Sequence, residues 1–266
     1  MSSVPAREKP GEQAAPLPAV PGTVLEVSDL SVEYITDTGS VVAVDHVSFE
    51  LGPGEFIGIV GESGCGKSTL LFGIAQLLAP PARISGGSVS FRGRNMVGLT
   101  ETELATVRWK DLSVVMQSAM NALNPVKSIG AQFADAMRAH GVRSKEQIAG
   151  RSAEVLRMVG IDPVHLKSYP HQLSGGMRQR SMIAMAMLFT PELVIMDEPT
   201  SALDVVAQRS LMVQIKELQA DFGFAVIFVT HDALPTSSWS CTPARWRSSG
   251  PPGGSSTPRC TPTPRA

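Results

Sequence analysis

Residues 61–69, with the sequence GESGCGKST, form the clearest chemical pattern in this chain. They fit G-x-x-x-x-G-K-[ST], a pattern in which backbone N–H groups and a helix N-terminus bind phosphate oxygens. In such a loop Lys67 reaches the β- and γ-phosphates, and the Ser68 hydroxyl is a ligand of Mg²⁺. The pattern predicts a nucleotide-binding loop made of Gly61, Glu62, Ser63, Gly64, Cys65, Gly66, Lys67, Ser68 and Thr69.

The loop lies between a strand pattern and a helix pattern. Residues 55–60 form a short apolar run of strand type, and Pro80 and Pro81 are predicted to end the following helix. The apolar residues of that helix recur at helical spacing: Leu70, Leu71, Ile74, Leu77 and Leu78. Glycine-rich turns between a strand and a helix also occur without a ligand. The intact GKST run in this context favours phosphate binding.

Two carboxylates follow a second apolar run, residues 193–196. A buried parallel strand would bring Asp197 to its carboxyl end, where it can act on Mg²⁺ through water, because Mg²⁺ prefers oxygen ligands and keeps much of its hydration. Glu198 points in another direction and can orient or deprotonate an attacking water. A helix N-cap or a solvated turn is the structural alternative, and the phosphate loop elsewhere in the chain argues against it.

Polar side chains follow two further predicted strands. Gln117 comes after residues 112–116, and His231 comes after residues 225–230. The carboxyl ends of strands are where α/β sheets bind ligands. Taken alone, each residue is better explained by a structural role, Gln117 as a loop cap and His231 as an ordinary residue at a strand end.

A second potential anion site precedes a predicted helix that runs on to Phe189. The run LSGGMRQR places Ser174, Gly175 and Gly176 at the helix start, where N–H groups are unpaired and the helix dipole favours negative charge. Serine is also a preferred N-cap. The sequence alone leaves both interpretations open.

Composition indicates a globular chain with one sizeable core. Its 266 residues are 43% hydrophobic and 18% charged, and the net charge of −1 argues against a nucleic-acid partner. No apolar run approaches the length of a membrane span, and residues 1–23 hold five prolines and no apolar core, which predicts no signal peptide. Three cysteines make no disulfide framework.

The chain divides into four predicted segments. Residues 1–22 lack an apolar period and are predicted to be a disordered tail. Strand patterns follow at residues 24–27, 30–34, 41–49 and 86–91. Residues 118–172 are predicted to be a helical insert, in which Ser144 and Gln147 form a capping signature and Gly160 ends a helix. Another helix is predicted from Val205 to Gln219.

Residues 233–266 have a different composition from the rest of the chain. Of these 34 residues, 22 are Pro, Ser, Thr or Gly, and Val, Ile, Phe, Met, Asp, Glu and Lys are missing. Such a composition builds no core element. The hypothesis from the sequence is that a frameshift, real or a sequencing error, replaced the ending that the preceding motifs would predict.

The order of these motifs resembles that of the ATP-binding subunits of ABC transporters, over about residues 23–232. A phosphate loop alone would also fit GTPases, kinases and helicases. The run LSGGMRQR before an apolar strand that ends in Asp-Glu, followed by SALD and a histidine at a strand end, is specific to the ABC family. The resemblance implies an α/β fold: a P-loop NTPase core (RecA-like) with an antiparallel β subdomain and a helical insert.

The resemblance also implies roles for individual residues. Asp197 matches the metal-associated aspartate, Glu198 the catalytic base, His231 the γ-phosphate switch and Gln117 the glutamine that senses Mg²⁺. Tyr34 matches the aromatic residue that stacks on adenine, although on sequence alone an ordinary sheet aromatic is the more common case. Further matches complete the ATP site of the opposite subunit: Ser174, Gly175, Gly176 and Asp204. The cofactors implied are ATP and Mg²⁺.

Finer likeness indicates a subgroup. Residues 116–126, 169–180 and 202–208 are similar to the ATPases of bacterial dipeptide, oligopeptide and nickel importers. The resemblance implies an ATP-hydrolysing subunit that energises a bacterial importer of dipeptides or oligopeptides, with nickel and oligosaccharides as the alternative cargoes within the subgroup. The resemblance implies a second ABC ATPase, identical or homologous, two transmembrane permease subunits and, indirectly, a substrate-binding protein. It places the chain on the cytoplasmic face of the cell membrane.

Two other functions are compatible with these motifs. One is a soluble ABC-type ATPase of translation or DNA repair; such proteins usually carry two cassettes or a long coiled-coil insert, and neither is seen here. The other is an inactive product of a transporter ATPase gene, caused by its altered C-terminus.

Overall fold

The structure is a computed structural model that describes residues 22–37, 39–117, 122–199 and 205–230. Predictions for Asp204, His231 and the two tails lie outside these ranges. The strands are β1 Leu25–Thr36, β2 Gly39–Leu51, β3 Phe56–Val60, β4 Ala82–Phe91, β5 Arg94–Asn95, β6 Leu112–Val115, β7 Leu193–Asp197 and β8 Ala225–Thr230. The α-helices are α1 Lys67–Ile74, α2 Glu101–Val107, α3 Ile129–Ala139, α4 Lys145–Met158, α5 Gly175–Ala186 and α6 Val205–Phe222. Short 3-10 helices span Pro163–Lys167 and Pro170–Gln172.

A parallel sheet with the order β3-β8-β7-β6 forms the centre of the fold. Every residue of β7 and β8 is buried, as expected for parallel strands covered on both faces. The register sets Val60 opposite Thr230, Asp197 opposite Val229 and Val115 opposite Met196. The segments that follow these strands therefore leave from one edge of the sheet.

Two hydrophobic cores cover the two faces of this sheet. Val194 and Met196 belong to the core that includes residues of α3 to α6. Leu193 and Ile195 belong to the other core, together with residues of α1 and the second sheet. This division follows from the alternation of side chains along a strand. It fixes the rotation of β7, and with it the direction of the carboxylate at its end.

The second sheet is antiparallel, with the order β2-β1-β4-β5. Helix α1 contacts β1, β2 and β4 as well as β7, so it lies between the two sheets. The mixed α/β architecture, with a parallel core, an antiparallel sheet and helices inserted between β6 and β7, confirms the predicted fold class.

The predicted helices between β6 and β7 are confirmed as α3 and α4. The Oγ atoms of Ser128 and Ser144 accept hydrogen bonds from the N–H groups of Ala131 (3.3 Å) and Gln147 (3.2 Å), which begins each helix with a serine cap. Gly160 follows the last turn of α4 with a φ of 68°, as predicted from its position. Both helices pack with the 3-10 helix at residues 163–167, and α4 also packs on α5.

Two predicted boundaries were wrong. Helix α1 ends at Ile74, well before the prolines, and the chain turns at Gln76 with a φ of 54°; the apolar residues Leu77 and Leu78 lie beyond the helix. The two strands predicted at residues 24–27 and 30–34 form a single strand, β1. A bulge at Asp29, with a φ of 54°, shifts the register there and explains the break in the sequence pattern.

One short helix was not predicted. In α2 the Thr100 Oγ1 accepts from the Glu103 N–H at 3.4 Å, while a Glu103 carboxylate oxygen accepts from the Thr100 N–H at 2.9 Å. This reciprocal pair is a capping box. The spacing Thr100 to Glu103 was the signal that could have identified the helix.

Candidate functional site

The phosphate loop, residues 61–66, connects β3 to α1. Gly64 and Gly66 lie in the left-handed region with φ of 82° and 94°, and a Cβ atom on Gly66 would stand 2.3 Å from the carbonyl oxygen of Ala43 in β2. Within the described residues, no side chain caps the N-terminus of α1. The first N–H groups of α1 are thus positioned to bind an anion, as the motif predicts.

Lys67 is the first residue of α1 and is only 5% exposed. Its ammonium donates hydrogen bonds to the carbonyl oxygens of Gly61 at 2.6 Å and Glu62 at 2.7 Å. A buried ammonium held by two neutral carbonyls lacks a full counter-charge. Phosphate oxygens bound at the loop would supply that charge, so the geometry fits the predicted role of Lys67.

Asp197 ends β7 and is 3% exposed. Burial raises the pKa of this carboxyl, and the charge of Glu198 adds to the rise; a hydrogen bond from Ser68 and the charge of Lys67 oppose it. Among the described residues, nothing donates a hydrogen bond to its Oδ1 atom. An orphaned carboxylate oxygen beside a serine hydroxyl at a phosphate loop fits Mg²⁺, which prefers oxygen ligands and is often held by one or two carboxylates plus phosphates.

Glu198 and Gln117 meet at the same edge of the sheet. The Gln117 Nε2 atom donates to a Glu198 carboxylate oxygen at 2.7 Å, across 81 residues of sequence. The Glu198 N–H donates to the Val229 carbonyl at 3.0 Å, and Glu198 has a φ of 44°. A left-handed residue other than glycine is strained, and such strain concentrates at functional sites. The contact brings together two residues that the sequence could only place separately at strand ends.

Tyr34 and Thr69 connect the antiparallel sheet to the phosphate-loop helix. The Tyr34 hydroxyl and the Thr69 hydroxyl form a hydrogen bond at 3.1 Å, and Thr69 is buried. The half-buried Tyr34 side chain therefore lies beside Thr69, near the start of the helix that follows the loop. Its predicted contact is with a nucleotide base. That contact stays a prediction.

Ser174, Gly175 and Gly176 lie at the start of α5. The Ser174 Oγ atom accepts from the Met177 N–H at 3.2 Å, so the N-cap interpretation is confirmed. In the described part of the chain, no hydrogen bond joins these residues to the phosphate loop of the same chain. Their predicted contact with a nucleotide held by another chain stays a prediction.

Sequence reasoning missed two features of the site. One is the close approach of Ala43 to Gly66, which comes from the packing of β2 over the loop and has no local signal. The other is a set of side chains that bind the C-terminal end of α5, among them Trp109 and Arg151. The sequence pattern does not show which backbone carbonyl a single polar side chain will bind.

Comparisons with known proteins identify the family of this chain. A family model described as ABC transporter matches residues 44–201. The chain is 44% identical over 223 residues to the oligopeptide transport ATP-binding protein OppD of Salmonella typhimurium, covering 83% of this chain and 66% of that protein. It is 43% identical over 212 residues to the dipeptide transport ATP-binding protein DppD of Bacillus subtilis, covering 79% and 63%. The chain thus spans slightly less than two thirds of the length of these curated relatives.

A solved structure is also similar to this chain. A dimeric structure of a post-hydrolysis state of an ATP-binding cassette, bound to ADP and phosphate, superposes with a TM-score of 0.69 at 29% identity, covering 78% of this chain and 88% of that one. In the residues that the structure describes, no helix is long and apolar enough to cross a membrane. The family match covers more than half of the chain and includes its phosphate loop and both carboxylates. The chain belongs to the ABC transporter family.

Proposed function

We propose that this chain binds MgATP and hydrolyses it, as the energising subunit of a bacterial ABC importer for dipeptides or oligopeptides. The observation that carries the proposal is the convergence of Lys67, the pair Asp197 and Glu198, and Gln117 at one edge of the parallel sheet. Similarity to OppD and DppD, an oligopeptide and a dipeptide transport ATP-binding protein, supports peptide transport.

The phosphate loop binds the triphosphate. Lys67 exchanges its two carbonyl partners for phosphate oxygens, and the N–H groups at the start of α1 donate to the same group. Because Gly66 has no Cβ atom, the loop backbone passes directly against the Ala43 carbonyl of β2. We expect this contact to restrict the motion of the loop. Preorganised donors of this kind stabilise charge without reorganisation during the reaction.

The metal would be held by Ser68, Asp197 and Gln117. Mg²⁺ bound there supplies positive charge that offsets the charge developing on the phosphate oxygens. Asp197 keeps its carboxylate oriented through the hydrogen bond from Ser68. The orphaned Oδ1 atom of Asp197 gains a partner when a hydrated cation is present.

Glu198 acts as the general base. Its carboxylate accepts the proton of the attacking water, and Gln117 holds that carboxylate through a 2.7 Å hydrogen bond. The strained backbone of Glu198, fixed by its bond to Val229, sets the direction of the side chain. His231 would contact the γ-phosphate from the end of β8, and Tyr34 would stack on the adenine.

Residues at the start of α5 complete the site of a second cassette. Ser174, Gly175, Gly176 and Asp204 would contact the ATP held by the partner, so that two nucleotides lie between two chains. Closure of that dimer on ATP and its release after hydrolysis would move two transmembrane permease subunits at the cytoplasmic face of the membrane. A substrate-binding protein would deliver the cargo to the permeases without touching this chain.

The test compares hydrolysis by the wild-type chain with that of Glu198→Gln. We expect wild type to release phosphate from MgATP and the variant to lose at least about 100-fold in kcat, since a positioned general base contributes about 10²–10⁴. The exposed Glu217→Gln on α6 is the matched control and should retain wild-type kcat. Hydrolysis that survives in Glu198→Gln would contradict the assignment of the base.

The peptide cargo needs a separate measurement. Vesicles that contain this chain together with the two permease subunits and the substrate-binding protein of its own transporter should take up a labelled dipeptide or oligopeptide when supplied with MgATP. Labelled Ni²⁺ and a labelled oligosaccharide serve as competing cargoes. Uptake of either in preference to peptide would refute peptide transport and leave the ATPase assignment intact.

A further inference from the structure

The C-terminal end of α5 is bound by side chains at four consecutive carbonyl groups. Met185 accepts from the Trp109 indole at 2.9 Å and Ala186 accepts from the Ser113 hydroxyl at 2.8 Å. Arg151 donates to the carbonyl oxygens of Met187 at 2.7 Å and Leu188 at 2.8 Å. Helix ends normally leave such carbonyls without intrahelical partners.

The donors come from different parts of the fold. Ser113 lies on β6, two residues before the end of the strand that leads to Gln117, and Trp109 lies just before β6. Arg151 lies on α4, in the helical insert. These three side chains, which we call the α5 socket, join the parallel sheet, the insert and α5 at one point. The orientation of α5 is therefore set by the sheet and the insert together.

Arg151 binds two of the four carbonyl groups in this socket. Its side chain is 19% exposed, and its guanidinium donates to two carbonyls at the end of α5 and also to the Thr190 hydroxyl at 2.9 Å. A positive charge at a helix C-terminus interacts favourably with the helix dipole. Glu154, one turn further along α4, pairs with the same guanidinium at 2.9 Å and holds it in place.

The other end of α5 carries Ser174, Gly175 and Gly176. A helix of 12 residues is about 18 Å long, and a rigid helix that pivots at one end is displaced at the other. The chain that leaves the socket continues through Thr190, which has a φ of 53°, into β7 and Asp197. The socket thus lies between the segment that binds the partner's nucleotide and the strand that binds the metal.

We propose that Arg151 is a positioning residue for ATP hydrolysis: through the C-terminal end of α5 it fixes the direction in which Ser174 is presented to the partner chain. This inference rests on the proposed function, because Ser174 acts only on a nucleotide held by a second cassette. Arg151 itself contacts no nucleotide. Its effect should appear in the step that needs two chains and be absent from the binding of MgATP by one.

The experiment compares Arg151→Met and Arg151→Lys with wild type. Arg157→Met is the matched control, because Arg157 is exposed on the same helix. We expect kcat to fall about tenfold in Arg151→Met, the factor that about 1.4 kcal/mol represents. The KM for MgATP and the thermal stabilisation by MgATP should stay within about twofold of wild type, since Lys67 is untouched. Arg151→Lys keeps the positive charge but loses the planar guanidinium that binds two carbonyls, so its kcat should lie between those of wild type and Arg151→Met.

Amide hydrogen exchange in the nucleotide-free chain provides a readout that does not depend on hydrolysis. We expect residues 173–180 to exchange at least about threefold faster in Arg151→Met than in Arg157→Met, because loss of the socket loosens both ends of α5. Faster exchange confined to residues 185–190 would overturn the proposal, since Arg151 would then be only a local cap. An unchanged kcat, or a KM that rises as kcat falls, would overturn it as well.

The two proposals fail in different ways. A wild-type chain that neither hydrolyses MgATP nor is stabilised by it would refute the proposed function, and the exchange pattern of residues 173–180 would still decide the role of Arg151. If Arg151→Met does not fold, Arg151→Lys carries the same comparison, because it retains the charge and the length of the side chain.

Discussion

Substitution of Gly66 by alanine tests how the phosphate loop is held. Gly66 has a φ of 94°, and a residue with a Cβ atom pays about 1–2 kcal/mol in that region. The new Cβ atom would also lie 2.3 Å from the Ala43 carbonyl oxygen, so that oxygen must retreat by about 1 Å to reach ordinary contact. Overpacking of this kind costs about 1–3 kcal/mol. We expect Gly66→Ala to lower the free energy of unfolding by about 2–5 kcal/mol.

Gly64→Ala is the matched control for this prediction. Gly64 has a φ of 82°, but a Cβ atom there would meet nothing within 4 Å. Its expected cost is therefore the backbone strain alone, about 1–2 kcal/mol. Urea unfolding of the nucleotide-free proteins, followed by circular dichroism, measures both. Equal destabilisation by the two substitutions, or a milder effect of Gly66→Ala, would refute the claim that β2 packs rigidly on the loop.

Two further predictions concern titrating groups. Burial raises the pKa of Asp197, so the contribution of this carboxyl to the free energy of unfolding is lost as pH rises through its native pKa. Asp197→Asn should therefore raise the urea midpoint of the nucleotide-free chain more at pH 8 than at pH 5. The same substitution should abolish stabilisation by MgATP. A midpoint lowered equally at both pH values would contradict this. Burial, aided by the charge of Lys110, lowers the pKa of His140, whose ring lies against Trp109 and Phe189. The contribution of His140 to the free energy of unfolding is thus lost as pH falls below about 6.5. His140→Phe should make the urea midpoint decline less between pH 7.5 and pH 5.5. A pH profile identical to that of wild type would contradict this prediction.

Much of the fold could be predicted because the strands have simple patterns. The runs that became β3, β7 and β8 are short and apolar, as expected for strands of a parallel sheet, and those of β7 and β8 are fully buried. The polar group after each run could then be placed at the ligand-binding edge. The sheet order was not accessible from those runs, since it depends on how the connecting helices cross the sheet.

Contacts between distant segments could not be predicted from local pattern. The hydrogen bond of Gln117 with Glu198 spans 81 residues, and that of Arg151 with Met187 spans 36. Helix α1 ends before the apolar period does: Gln76 has a φ of 54°, and the distant Arg108 donates to the carbonyl oxygens of Ala75 and Gln76. The assignments of Asp204 and His231, and the hypothesis of an altered ending, concern residues outside the described ranges and stay predictions.

The thermal stability of the purified chain with and without MgATP tests the central claim most directly, with Lys67→Ala and the exposed control Lys145→Ala measured beside it. A ligand at 100 times its dissociation constant stabilises a folded site by about 2.7 kcal/mol, or about 5–10 °C in Tm for a domain of this size. We predict that shift in wild type and Lys145→Ala and its loss in Lys67→Ala. A transition that MgATP leaves unmoved in the wild-type chain would contradict the assignment of an ATP site.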